Sequence, residues 1–265
     1  MSWSKAKTVV VVGVVLILAA GATTVMVVTI KKANARAAEN YFAHFDSTDI
    51  DKAPPVLILR PSKYANKGDY VIAGRDYGPK GRIMRRGCAL TEILTTAYGV
   101  GLEQMVLPPN LPRGKFDLLL TVPNNSREAL RAEIKKQFGL VAHTETRDTD
   151  VLVLKNTNPN APGLKISKGG GPNIWMNSGS VKLVGYKMTD PSGFDVAHTI
   201  GMYFNMPVVD ETGLTGAYDI DFHWNANLQG DAAKKEVQRA LSEQLGLELV
   251  PDRRPMEMLV VEKAN

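Results

Sequence analysis

The stretch VVDETGLTGAYDIDFHW, Val208 to Trp224, sets four acids beside two glycines and two threonines. Asp219 and Asp221 fall on one side of a strand-like run, as a pair of carboxylates for acid–base work would. Asp210 and Glu211 precede them in a loop-like segment that could face a metal or a phosphate. With Arg254 they are the candidate binding residues.

Other chemistry is missing from the chain. His44, His143, His198 and His223 have neither the H-E-x-x-H spacing nor any other metal-like cluster. His223 falls on the polar side of a strand and His198 in a helical run, so each reads as satisfied or solvated. There is no G-x-S-x-G, Walker loop or G-x-G-x-x-G, and Gly169-Gly170-Gly171 lacks a following Lys-Ser/Thr. Cys88 is the single cysteine, which excludes an intrachain disulfide and reads as a small, partly buried thiol. No catalytic residue, metal site or cofactor is expected.

The elements that carry these residues come in two similar sets. FGLVAHTETRDTDVLVLKN (138–156) aligns without a gap on LGLELVPDRRPMEMLVVEK (245–263), matching Gly139 with Gly246 and Arg147 with Arg254. Upstream, Leu130, Ile134 and Phe138 form one apolar stripe, and Val237, Leu241 and Leu245 another, which predicts helices over 126–138 and 232–245. Asn125 and Asp231 are placed to cap their starts, and Gly139 and Gly246 to end them. Further upstream, MVLPPNLPRGKFDLLLTV (105–122) matches PVVDETGLTGAYDIDFHW (207–224), with Gly114 opposite Gly216 and Asp117 opposite Asp219. Tyr218, Ile220, Phe222 and Trp224 alternate with polar residues, a strand with one buried face. Helix-like runs, LTEILTTAYG and FDVAHTIGMYF, precede both copies. Where the second copy has its acids, the first has Pro108-Pro109-Asn110-Leu111-Pro112. A geometry met by two chemistries is a connecting turn, and its glycine should matter more than its acids.

Each copy reads strand, helix, short strand, turn, strand, helix, strand, strand, an α+β pattern with a mixed or antiparallel sheet that strands of both copies could share. The expected division is an anchor (1–32), a polar stalk (33–52), and α+β units at 53–165 and 166–265.

The chain has 265 residues and a formal net charge of +5. Residues 1–40 hold five cations and one acid, about +4 of that total, so the body is close to neutral. A near-neutral body lacks the cationic face that nucleic acid requires. From Thr8 to Ile30 the sequence passes without a charge. That length predicts an uncleaved transmembrane helix rather than a signal peptide, with the body on the extracytoplasmic side.

PVVDETGLTGAYDIDF, followed by EQLGLELVPDRRPMEMLVVEKAN, resembles the C-terminal signature of an uncharacterised family of soil-associated bacteria, a domain of unknown function. RGCALTEILTTAYGV and LPRGKFDLLLTVP resemble its N-terminal half, and the resemblance spans roughly residues 53–263. Some relatives are fused to membrane-bound sensor metallopeptidases, which implies signalling or envelope roles. The repeated unit is also similar in element order to the periplasmic N-terminal domains of secretins and TonB-linked receptors. The expectation is a membrane-anchored, non-enzymatic module of the cell envelope that binds a protein or peptide. A hydrolase with an unfamiliar site between the copies, or a cytoplasm-facing regulatory module, are the alternatives.

Overall fold

The structure, a computed structural model, describes residues 18–19, 22–23, 39, 41–43, 50–64, 71–75, 82–169, 173–177, 179–189, 195–225 and 227–264. The expected membrane helix is overturned within this set. Leu18–Ala19 (β1) and Ala22–Thr23 (β2) pair antiparallel, Leu18 with Thr23 and Ala19 with Ala22, so no continuous helix runs through residues 8–30. The helical reading relied on a lipid surrounding that leaves backbone groups no other partner. The residues themselves are rich in valine and threonine, whose branched Cβ favours extended backbone. Among the described residues no helix is long and apolar enough to cross a membrane. The rest of the expected span lies outside the described residues.

The other strands are β3 (Leu57–Pro61), β4 (Val71–Arg75), β5 (Arg82–Cys88), β6 (Met105–Val106), β7 (Phe116–Leu120), β8 (Leu140–Asn156) and β9 (Leu164–Ile166). They continue with β10 (Asn173–Asn177), β11 (Ser180–Tyr186), β12 (Val208–Asp210), β13 (Tyr218–His223) and β14 (Leu247–Lys263). The helices are α1 (Leu90–Tyr98), α2 (Ser126–Phe138), α3 (Val196–Phe204) and α4 (Gly230–Leu245). The fold is α+β with antiparallel and mixed sheets. Two compact units interleave along the chain, one from residues 1–88 with 114–137 and the other from 89–113 with 138–265.

The first unit is built on the antiparallel sheet β3-β7-β5-β4. Every residue of β7 is buried, so both faces of that strand are covered. One covering layer comes from the stretch read above as a stalk, because Phe42 and Ile50 are buried with Val56, Met84 and Leu119.

The second unit holds the antiparallel sheet β10-β11-β13-β9 and the mixed sheet β12-β8-β14-β6. In the mixed sheet β8 and β14 run side by side from the Leu140–Lys263 pair to the Asn156–Leu247 pair, with Asp148 opposite Pro255. β12 adds in parallel at Leu152 to Leu154, and β6 adds in parallel at Leu259 and Val260.

The two four-stranded antiparallel sheets share one local device. Pairing slips between Arg85 and Cys88 on β5 and between Leu183 and Tyr186 on β11. Gly87 and Gly185 sit in these bulges at φ 66 and 71, a conformation that favours glycine. Each donates its N–H to an aspartate on the neighbouring strand, Gly87 to Asp117 Oδ1 at 3.1 Å and Gly185 to Asp219 Oδ1 at 3.0 Å. Helices α2 and α4 end at left-handed Gly139 and Gly246, while Asp231 lies inside the first turn of α4 and Gln229 holds the cap position.

Candidate functional site

The inner face of the sheet β10-β11-β13-β9 is the one that the alternation in β13 marked as apolar. Ile220 and Phe222 of β13 lie beside Leu183 and Val181 of β11, and all four are buried. Val196, Ile200 and Phe204 of α3 and Val237, Leu241 and Leu245 of α4 join the same core. The two helices do not close completely over the sheet. An apolar cavity of about 80 Å³ remains, walled by these side chains with Thr199, Tyr203 and Trp224. No acid, base or histidine lines it, and Thr199 spends its hydroxyl on the Asp195 carbonyl at 2.8 Å. Tyr203, 39% exposed, stands at the rim with its ring edge-on to Trp224 at 5.7 Å.

Helix α3 forms one wall of the cavity because both its ends are fixed. Asp195 caps it by accepting from the His198 N–H at 2.7 Å, and Asn205 ends it in the left-handed region at φ 52. Away from the cavity, His198 Nδ1 lies 2.8 Å from Oε1 of Glu103, whose side chain is 3% exposed. Glu103 comes from the short 3-10 turn Leu102–Gln104, which runs into β6. The carboxylate beside it raises the His198 pKa above the ordinary histidine value, against the opposing effect of burial; Asp195 adds a smaller raising effect.

The acids of the opening stretch are not brought together. Asp210 Oδ1 accepts from the Thr212 N–H at 2.9 Å and the Thr212 hydroxyl at 2.7 Å, which closes a local turn. Glu211 pairs with Arg254 at 2.7 Å, and Arg254 also holds Asp252 at 2.7 Å. Asp252 first and Glu211 second raise the Arg254 pKa. Asp219 clamps the Gly185 bulge, and Asp221 faces His223 at 3.2 Å in an exposed pair. Glycine 216, expected to be the conformationally demanding residue, is not at positive φ; Gly213 takes that role at φ 69. A turn closed by Asp210 and Thr212 needs its left-handed residue directly after them.

Of the candidate binding residues, Glu211 and Arg254 therefore meet in a surface ion pair, and Asp210 turns to its own loop. Cys88 is buried, with its thiol donating to the Phe116 carbonyl at 3.3 Å. Among the described residues no group of three or more His, Cys, Asp or Glu is placed to hold a metal ion. Sequence reasoning missed the Glu103–His198 pair, since nothing in the turn around residue 103 signals a buried acid. It also missed the cavity, whose lining reads only as ordinary core.

No curated protein and no solved structure matches the chain. One family does, over residues 91–264, which takes in α1 and everything from β6 to β14 and is well over half the sequence. On that match the chain belongs to the DUF3738 family, described as a protein of unknown function.

Proposed function

We propose that this chain is a non-enzymatic binding module built on a duplicated α+β unit. Its second copy takes an apolar side chain of a protein or peptide partner between α3 and α4. The observation that carries the reading is the cavity, with predominantly apolar walls and an aromatic rim. The lining holds no carboxylate, histidine, lysine or cysteine, the groups that most often move protons or attack as nucleophiles, and its two hydroxyls belong to Thr199, engaged by the Asp195 carbonyl, and Tyr203. What it offers is the removal of apolar surface from water, with aromatic side chains at the edge, the residue types that dominate binding energy at interfaces. The duplication is supported by the common strand order and by the bulge-and-aspartate device in both antiparallel sheets.

The test is a methyl-labelled NMR titration with short peptides that each carry one Leu, Phe or Trp. Binding should shift the methyls of Val181, Leu183 and Ile200, and Ile200→Trp, which fills the space, should abolish the shifts while the chain stays folded. A peptide that binds the filled variant with unchanged affinity would sink the reading.

A further inference from the structure

We propose that Glu103 and His198 form a proton-operated latch that holds the turn 102–104 and β6 against α3 and slackens when the imidazole loses its proton. The proposal stands apart from the cavity and rests on how the chain is built around one carboxylate. Oε1 of Glu103 meets the imidazole, while Oε2 is shut away from solvent with no hydrogen-bond partner. The backbone on both sides has been cleared for it. A Cβ at Gly101 would overlap the carboxylate, and one at Gly201 would lie 3.4 Å from Glu103 Cγ and 3.0 Å from the Met206 carbonyl oxygen. A buried carboxylate with one oxygen unsatisfied is costly unless an opposite charge lies against it. The imidazolium supplies that charge.

The element being held is short. β6 is two residues long and pairs with β14 only through Met105–Leu259 and Val106–Val260. The 3-10 turn and β6 contribute no ionisable side chain other than Glu103. On β12, the strand packed against α3, Asp210 is the one ionisable residue, and its Oδ1 is engaged by Thr212. Asp195, at the start of α3 itself, also favours the charged imidazole. His198 is 22% exposed, enough for its proton to exchange with solvent. Histidine is the side chain whose ordinary pKa, about 6.5, lies closest to physiological pH. Its folded value lies above this, so the latch is fully closed below about pH 6.5 and weakens as pH rises through the folded value.

The experiment follows hydrogen exchange of residues 102–106 and of α3 in the full chain from pH 5.5 to 8.5, corrected for intrinsic exchange, beside an NMR titration of the His198 ring. Protection of both segments should fall by about tenfold or more as the ring titrates, with a midpoint above 6.5. In Glu103→Gln the neutral amide can still meet the imidazole, and the pH dependence should vanish. Protection that stays flat through the wild-type ring titration, or a ring midpoint at or below 6.5, overturns the latch; both are read on the wild-type protein and do not depend on the variant folding.

Discussion

The two antiparallel sheets have the same strand order and the same bulge, and they differ in what lies on the face opposite that bulge's apolar neighbours. Three residues before Gly87 stands Met84, paired in register with Leu119, and both are buried under Phe42 and Ile50. Three residues before Gly185 stands Lys182, paired with Asp221, and both are exposed. One backbone plan thus serves a sheet covered on both faces and a sheet with one wet face, and the side chains at matched positions report which is which. The clamp aspartates follow suit. Asp117 is fully buried and accepts from Ser62 at 2.5 Å, Gly87 at 3.1 Å and Lys63 at 3.3 Å, with Arg60 Nε 3.4 Å away. Asp219 is half-buried and serves the bulge N–H.

Exchanging the chemistry of the matched outer positions is the harshest way to break this comparison. Leu119→Asp places a charge inside a closed layer and should cost about 4 kcal/mol or more, enough to unfold the first unit. Asp221→Leu adds an apolar group to an exposed face and should change stability by no more than about 0.5 kcal/mol. Urea unfolding of both variants decides it. A tolerated Leu119→Asp would show that the outer face of the first sheet is not covered.

Removing the clamps should separate the sheets by a smaller margin. Asp117→Ala leaves the Ser62 hydroxyl and the N–H groups of Gly87 and Lys63 without this buried acceptor, an expected loss of about 3–5 kcal/mol. Asp219→Ala gives up one main-chain hydrogen bond near solvent, about 1 kcal/mol. Similar losses for the two would mean that burial does not set the worth of the clamp.

How much of this could be read in the sequence depended on how many faces of an element are buried. β13 alternates Tyr218, Ile220 and Phe222 with Asp219, Asp221 and His223, and its inner face was legible at once. β7 reads FDLLL with no alternation because both of its faces are covered, so its layer partner could not be inferred. That partner, around Phe42, belongs to a stretch whose polar and small residues read as a stalk. Helices α2 and α4 were legible from their stripes, to within two residues at the start of α4. The Glu103–His198 pair joins residues 95 positions apart and depends on two glycines that leave room, a packing fact with no local periodicity. The uncharged run at the N-terminus was read from hydropathy alone, and where it is described Leu18–Ala19 and Ala22–Thr23 pair as strands.

Acid should act on the covered sheet through Glu39. Glu39 binds Arg60 at 2.5 and 3.1 Å and Lys63 at 2.7 Å, and these cations hold its pKa down to about 2, from an ordinary 4.5. A depressed carboxylate stabilises the fold above its unfolded pKa, so this contribution is present above about pH 4.5 and lost as pH falls from there towards 2. Glu39 is partly exposed, and solvent screening limits the effect to about 1 kcal/mol or less. Acid titration of stability in Glu39→Gln should lack that component. An unchanged acid profile would show that the Glu39–Arg60 contact is not maintained in solution.

The smallest effect belongs to the residues that first looked like chemistry. The loop from β6 to β7 runs through Pro108, Pro109 and Pro112, and the one from β12 to β13 leaves Asp210 through Glu211 and Thr212. Proline stiffens the first by fixing φ, and the second is held by the Asp210–Thr212 hydrogen bonds and the left-handed Gly213. Glu211 adds only a surface ion pair to Arg254, a contact usually worth less than about 1 kcal/mol. Glu211→Gln should therefore shift stability by less than about 0.5 kcal/mol and leave peptide-induced methyl shifts in the cavity unchanged. Asp210→Asn, which keeps an acceptor for Thr212, should do the same. Loss of peptide binding in either variant, with the fold intact, would move the site from the cavity to this loop and would give Asp210 and Glu211 a role that Pro108, Pro109 and Pro112 cannot fill.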